Sequence, residues 1–210
     1  MGRYTGPKCR LCRREGIKLM LRGSRCETAK CAMERQYSNS PPGVHNWRKG
    51  RTSEYGLRLR EKQKVKRYYG VWERQFMRYY QMAERGTGNT GTTLLSILER
   101  RLDNVVHKMG LAPSRASARE WLAQGHFHVN GRRVTVPSYS CRVGDQITVK
   151  DSDKSRKLVR AVLEELGEPH VQNWLKTDLT KLEGQVVALP AREDVQIPVE
   201  ENLIVELCSR

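Results

Sequence analysis

An α+β fold is predicted for this chain: a cysteine-rich arm, a helical domain, and a module of two helices on a small, mostly antiparallel sheet. Three observations predict it. Four cysteines open the chain as Cys9-x2-Cys12 and Cys26-x4-Cys31, and such pairs can converge on one metal ion. Leu94, Leu98, Leu102, Val105 and Met109 recur at three and four residues before Gly110, a helical period with a left-handed stop. His126-Phe127-His128-Val129 and Arg132-Arg133-Val134-Thr135-Val136 flank Asn130-Gly131, the strongest short-range hairpin signal.

Residues 1–45 form the arm. They hold too few apolar side chains for a core, so a metal is expected to supply the stability, on the order of 10–16 kcal/mol for structural zinc in small peptides. Zinc on Cys9, Cys12, Cys26 and Cys31 is the expected ion; a 4Fe-4S cluster on the same four thiolates is the alternative. Four protein ligands leave no open position, which makes the role structural rather than catalytic. Arg10, Arg13, Arg14 and Arg25 favour the thiolate form. The closed knob would fix Arg3, Lys8, Arg10, Arg13, Arg14, Lys18, Arg22 and Arg25 as one cationic cluster. Cys141 and Cys208 are expected as small buried residues.

Residues 46–91 form the helical domain. After a basic loop with Arg48, Lys49 and Arg51, Ser53 caps a helix reaching Tyr69, with Gly70 beyond it. Its cations are Arg58, Arg60, Lys62, Lys64, Lys66 and Arg67. A second helix is expected over residues 71–84, with Trp72, Phe76, Tyr79, Tyr80 and Ala83 toward a core.

Residues 92–150 form the module with the hairpin. One helix carries Arg100, Arg101 and Lys108. Ser114 caps another, ending at Gly125, on which Arg115 and Arg119 share a face. Arg132 and Arg133 leave the hairpin turn, and residues 143–149 read as a turn and one more strand. Residues 151–189 complete this second domain with a helix capped by Ser152 or Asp153 and ended by Gly167, then strands over 174–177 and 185–189. Residues 190–210 are expected to pack back on the helical domain. Acidic residues behind Pro198 favour a helix start over a strand at the end, and Glu200, Glu201, Leu203 and Leu207 are candidates for a protein interface.

Lys and Arg number 39 against 23 Asp and Glu, a net charge of +16, which predicts a polyanionic partner. The excess is +15 over residues 1–90, +5 over 91–150 and −4 over 151–210, placing the nucleic-acid contact mostly toward the amino terminus. No apolar run approaches the roughly 20 residues of a membrane span, and the start lacks the apolar core of a secretory signal. A cytoplasmic protein is expected.

Glu99-Arg100-Arg101-Leu102-Asp103-Asn104-Val105-Val106, Ser114-Arg115, His128-Val129-Asn130-Gly131 and Pro137-Ser138-Tyr139 resemble the S-four RNA-binding domain. Arg3-Tyr4-Thr5-Gly6-Pro7, Cys9-Arg10-Leu11-Cys12-Arg13-Arg14-Glu15-Gly16, Pro41-Pro42-Gly43, Tyr55-Gly56-Leu57 and Glu73-Arg74-Gln75-Phe76 are similar to the bacterial-type family of small-subunit ribosomal proteins that carries this domain, universal family four. The similarity covers nearly the whole chain. It implies a structural, non-enzymatic constituent of the small ribosomal subunit in the cytoplasm, one that binds small-subunit rRNA early, nucleates assembly of the subunit body and contributes to translational accuracy. It also implies the fifth small-subunit protein as neighbour, mRNA at the entry channel and, in some bacteria, repression of the protein's own operon. On this reading the candidate RNA contacts are Arg3, Arg10, Arg13, Arg14, Lys18, Arg22, Arg48, Lys49, Arg51, Arg58, Lys62, Lys66, Arg67, Arg100, Arg101, Arg115, Arg119, Arg132 and Arg133. Two alternatives stand beside it. An RNA-modifying enzyme using the same module would need a catalytic domain, and a zinc-containing DNA regulator would need a recognition helix and dimer signals.

Overall fold

The computed structural model describes residues 2, 4–35, 40–45, 50–167 and 171–209. The chain divides into two compact units, residues 1–94 with 196–210, and residues 95–195.

In the first unit, α1 (Lys8–Glu15) places Cys9 and Cys12 one turn apart. The arm had no expected helix. Pro7 stands at its N-cap with φ −67°, and Gly16 ends it at φ 71°. A short 3-10 turn, Gly23–Cys26, carries the third cysteine. Next comes α2 (Glu54–Tyr69), where Ser53 Oγ accepts from the Gly56 N–H at 3.1 Å and Gly70 closes the helix at φ 62°. This is the expected cap and stop. In α3 (Glu73–Glu84), Phe76, Tyr79, Tyr80 and Ala83 are buried. Trp72 departs from expectation: it is the N-cap residue, outside the helical repeat, and is 54% exposed. Its indole N–H donates to the Gly2 carbonyl at 2.9 Å. The chain end is a helix, α8 (Glu201–Cys208), which packs against α2 and buries Ile204.

Between α3 and α8 lie α4 (Thr90–Glu99), begun by Asn89, whose Oδ1 accepts from the Gly91 and Thr92 N–H groups, and the elements of the second unit. These are α5 (Leu102–Lys108), α6 (Arg115–Gln124), β1 (Phe127–Val129), β2 (Arg132–Arg133), β3 (Gln146–Val149), α7 (Asp153–Leu166), β4 (Leu175–Asp178) and β5 (Glu183–Val186). The sheet is antiparallel throughout, in the order β2-β1-β3-β5-β4. Asn130 and Gly131 at the hairpin have φ 50° and 75°, the left-handed pair that a two-residue turn of this hand requires. Leu102, Val105, Met109, Leu122, Phe127 and Trp174 anchor the apolar core. A Cβ on Gly184 would lie 2.7 Å from Met109 Sδ, so the glycine lets β5 approach that core closely.

Three expectations are corrected. The helix read through Leu94 and Met109 is two helices, broken at Arg100 and Arg101. Arg101 is extended (φ −66°, ψ 135°) and bridges Ser140, and the Leu102 and Asp103 N–H groups donate to the Tyr139 and Pro137 carbonyls. A distant segment thus supplies the acceptors at the start of α5. The strand expected to run on to Val136 ends at Arg133, and Val136 is 50% exposed. The strand read over 185–189 instead runs over 183–186, because the backbone beyond it turns to Trp174: the Val187 N–H donates to the Trp174 carbonyl. No helix among the described residues is long and apolar enough to cross a membrane.

Candidate nucleic-acid interface

Cys9, Cys12, Cys26 and Cys31 line one small cavity with Lys8, Leu21, Arg22, Ala32 and Met33. All four are free thiols. The Arg22 N–H points at Cys26 Sγ, 3.3 Å away. Burial raises the Cys12 thiol pKa, a backbone hydrogen bond at Leu19 opposes it, and the other three cysteines raise it further. The four cysteines share one space, with backbone hydrogen bonds reaching Cys12 and Cys26. No three His, Cys, Asp or Glu side chains among the described residues stand in ligand geometry.

The cations fall into distinct groups by what their side chains do. Arg10, Arg14, Arg22 and Arg51 are exposed. Lys18 pairs with Glu34, and the half-buried Arg13 donates from Nε to the Ser40 carbonyl at 2.7 Å. Arg3, Arg48 and Lys49 lie outside the described residues.

On α2 the cations pair with the protein's own carboxylates. Arg58 binds Glu206 at 2.7 Å and Glu54 at 3.2 Å. Lys62 and Lys66 each reach Glu73 at 2.5 Å. Burial would raise the Glu73 pKa, but these two ammonium donors outweigh it and hold the carboxyl below its usual range. Arg60 and Arg67 both donate to Glu15 Oε1. Burial dominates there: it raises the Glu15 pKa and lowers that of Arg67 despite the pairing.

In the second unit Asp103 is the hub. It is 1% exposed and accepts from Arg101 at 3.0 and 3.2 Å and from Arg119 at 2.6 and 3.0 Å. Asn104 accepts from Arg115 Nε at 2.7 Å and donates to Glu99. Arg101 is 2% and Arg115 8% exposed, so both guanidiniums lie inside the fold. Arg115 and Arg119 do share a helix face, but that face looks inward at α5. Half-buried Arg100 donates to the Cys141 carbonyl at 2.9 Å, while Arg132 and Arg133 are exposed. Burial pushes the Cys141 thiol up to about 12, which makes it an inert core residue; Cys208 is half-buried.

Residues 3–99 match the family model described as Ribosomal protein S4/S9 N-terminal domain, and residues 100–147 match the S4 domain. The small ribosomal subunit protein uS4 of Halothermothrix orenii is 55% identical over 210 residues, all of both chains. Those of Acetivibrio thermocellus and Caldicellulosiruptor bescii are 54% and 52% identical over the same full lengths. The chain belongs to the uS4 family.

The border between the two uS4-family matches falls at the break between α4 and α5, and α7, β4 and β5 lie beyond both. Sequence reading missed one group of cations. Arg74, Arg78 and Arg85 are exposed, on the side of α3 and its C-cap away from the aromatic stripe, with no ion-pair partner among the described residues. The signal was present in the spacing: four and seven residues apart, they share one helix face. At the other end, Glu200 is exposed, Glu201, Leu203 and Leu207 are half-buried, and the Glu200 N–H donates to Glu61 Oε2 at 3.3 Å.

Proposed function

We propose that this chain is a structural RNA-binding protein of the small ribosomal subunit, working in the cytoplasm by clamping small-subunit rRNA on its exposed cations. The observation that carries the reading is full-length identity of half or more to small ribosomal subunit proteins uS4. The family is structural and the chain is not an enzyme. Exposed Arg10, Arg14, Arg22, Arg51, Arg132 and Arg133 supply guanidinium forks that bind phosphate bidentately, and each neutralised phosphate releases counterions. The inward-facing arginines act differently: buried Arg115 and half-buried Arg119 tie α6 to Asn104 and Asp103 of α5, with buried Arg101 on the same Asp103 carboxylate, and so hold the module in one shape.

The same reading has this chain binding early, nucleating assembly of the subunit body and contributing to accuracy, with the fifth small-subunit protein as neighbour, mRNA at the entry channel and control of its own operon as further roles. Exposed Glu200 and half-buried Leu203 and Leu207 offer a mixed acidic and apolar edge for a protein neighbour. Cys9, Cys12, Cys26 and Cys31 would hold zinc, or a 4Fe-4S cluster on the same ligands. The bound group would supply cross-linking only, tying α1 to the turn that carries Cys26.

The test is filter binding of the full chain to transcribed small-subunit rRNA across a salt series, beside a large-subunit fragment of equal length. Tighter binding to the small-subunit RNA with a steep salt slope is expected. Equal affinity for both RNAs would overturn the proposal. Metal analysis should return about one zinc, or one cluster, per chain; metal-free protein with residues 8–35 fully protected from hydrogen exchange would overturn the metal assignment.

A further inference from the structure

We infer that the RNA-contacting surface of the second unit continues past the matched S4 segment, onto a phosphate-binding cluster of Arg133, Lys150 and Lys154 positioned by His126. This rests on the RNA-binding reading above and extends it to residues beyond both family matches.

His126 stands where three elements meet. Its Nδ1 lies 2.9 Å from Ser155 Oγ on α7, and its Nε2 lies 3.0 Å from Gln124 Oε1 at the end of α6. Ser155 is 1% exposed, so the contact on the α7 side is held inside the fold. The Lys150 N–H donates to the His126 carbonyl at 2.8 Å, which fixes the chain leaving β3 beside the same residue. Lys154 is the residue before Ser155 on α7, so both lysines flank the two contacts that hold His126; burial lowers the His126 pKa, and the fields of Lys150 and Lys154 lower it further. With both ring nitrogens engaged by Ser155 and Gln124, the imidazole is a positioning residue, not a phosphate ligand.

Arg133 arrives from β2. Its guanidinium lies directly on Gly125: a Cβ there would be 2.3 Å from Arg133 Nε and 2.5 Å from Nη2. Gly125 thus serves twice, as the left-handed stop of α6 (φ 81°) and as the floor under this side chain. Arg133 Nη2 lies 3.4 Å from the Gln124 carbonyl, the same residue that holds His126. Three cations from three elements are thereby set around one hub. Lys150 and Lys154 have no carboxylate in ion-pair range among the described residues, whereas Arg156 on the same helix is engaged by Asp151 at 2.7 Å. Exposed Asp153, in the first turn of α7, is the remaining nearby acid. Over residues 150–160, five cations face two carboxylates, a net +3. Preset charges at several points on a rigid frame fit a polyanion of regular spacing, which is what an RNA backbone offers.

The experiment compares Lys150→Gln/Lys154→Gln with Arg156→Gln in the full, metal-loaded chain, by filter binding to transcribed small-subunit rRNA over a salt series. The double variant should flatten the log–log salt slope by about two and weaken binding at least about tenfold near physiological salt, while Arg156→Gln should leave the slope near wild type. An unchanged slope in the double variant, or an equal loss in Arg156→Gln, overturns the inference while wild-type binding stands. Wild type that fails to prefer this RNA overturns the underlying reading as well. Amine acetylation read by mass spectrometry is a second measure that needs no variant: Lys150 and Lys154 should be protected in the complex, and labelling equal to the free protein counts against the cluster.

Discussion

Residues 8–35 and residues 95–195 both carry many cations, yet they are made rigid by different means. In the second region one cluster of 17 buried apolar residues joins helices and sheet. In the first, the buried apolar side chains are Leu19, Cys12, Cys26 and Cys31, so three of four are the cysteines themselves. Apolar burial can hold the larger region, whereas under the zinc proposal the smaller one would depend on a group bound by its sulfurs. The charges differ in the same way. The S4 module buries arginines against Asp103 and Asn104 to fix its shape, while the arm leaves Arg10, Arg14, Arg22 and Arg25 at the surface.

The largest test of this contrast is metal removal. Excess chelator, or Cys12→Ala, should abolish hydrogen-exchange protection over residues 8–35, a loss on the order of 10 kcal/mol of metal-linked stability, and leave the amides of the sheet protected. Collapse of both regions together would erase the distinction. Next comes Asp103→Ala, which removes the carboxylate that accepts from buried Arg101 and should destabilise the second unit by roughly 3–5 kcal/mol in urea unfolding. That is no less than Leu102→Ala, at roughly 2–5 kcal/mol; a cost under 1 kcal/mol for Asp103→Ala would show the network to be dispensable.

A pH series sharpens the same point. Burial lowers the His107 pKa to about 4, and Nδ1 lies 3.1 Å from the Ala112 carbonyl. The folded state then binds fewer protons than the unfolded chain between about pH 6.5 and 4. Stability should therefore be fully present above pH 6.5 and fall by roughly 3 kcal/mol as pH drops through that window, then level off. His107→Gln should remove that share of the slope, measured as the wild-type minus variant difference; parallel curves would refute the assignment. The smallest effect belongs to Arg58→Ala on α2, whose ion pairs are near the surface: about 0–1 kcal/mol, with no change in the salt slope of RNA binding. A reduced slope would mean that Arg58 leaves Glu206 for phosphate.

What could be read in the chain was what is decided locally. The caps at Ser53 and Ser114, the stops at Gly70, Gly125 and Gly167, and the Asn130-Gly131 turn each depend on a few neighbouring residues, and all stand where expected. The break at Arg100 and Arg101 was invisible because Leu98, Leu102 and Val105 keep helical phase across it. Its cause lies in residues 137–141, which no local window contains. Pairing of charges was equally hidden. Composition counts arginines but not their partners, so α2 read as an RNA face although its cations meet Glu15, Glu73 and Glu206, whereas Arg74, Arg78 and Arg85 on α3 went unmarked.

The tie between Arg100 and Cys141, which spans 41 residues of chain, bears on how the second unit comes apart. The Leu102 and Asp103 amides sit at a helix start, a place that ordinarily frays, yet their acceptors arrive from beyond the hairpin. They can let go only when residues 137–141 peel away, and that movement uncovers Cys141 and the underside of the sheet. These two amides should exchange with solvent as slowly as those of β1 and β3, making the seam between the two family segments one of the last places to open.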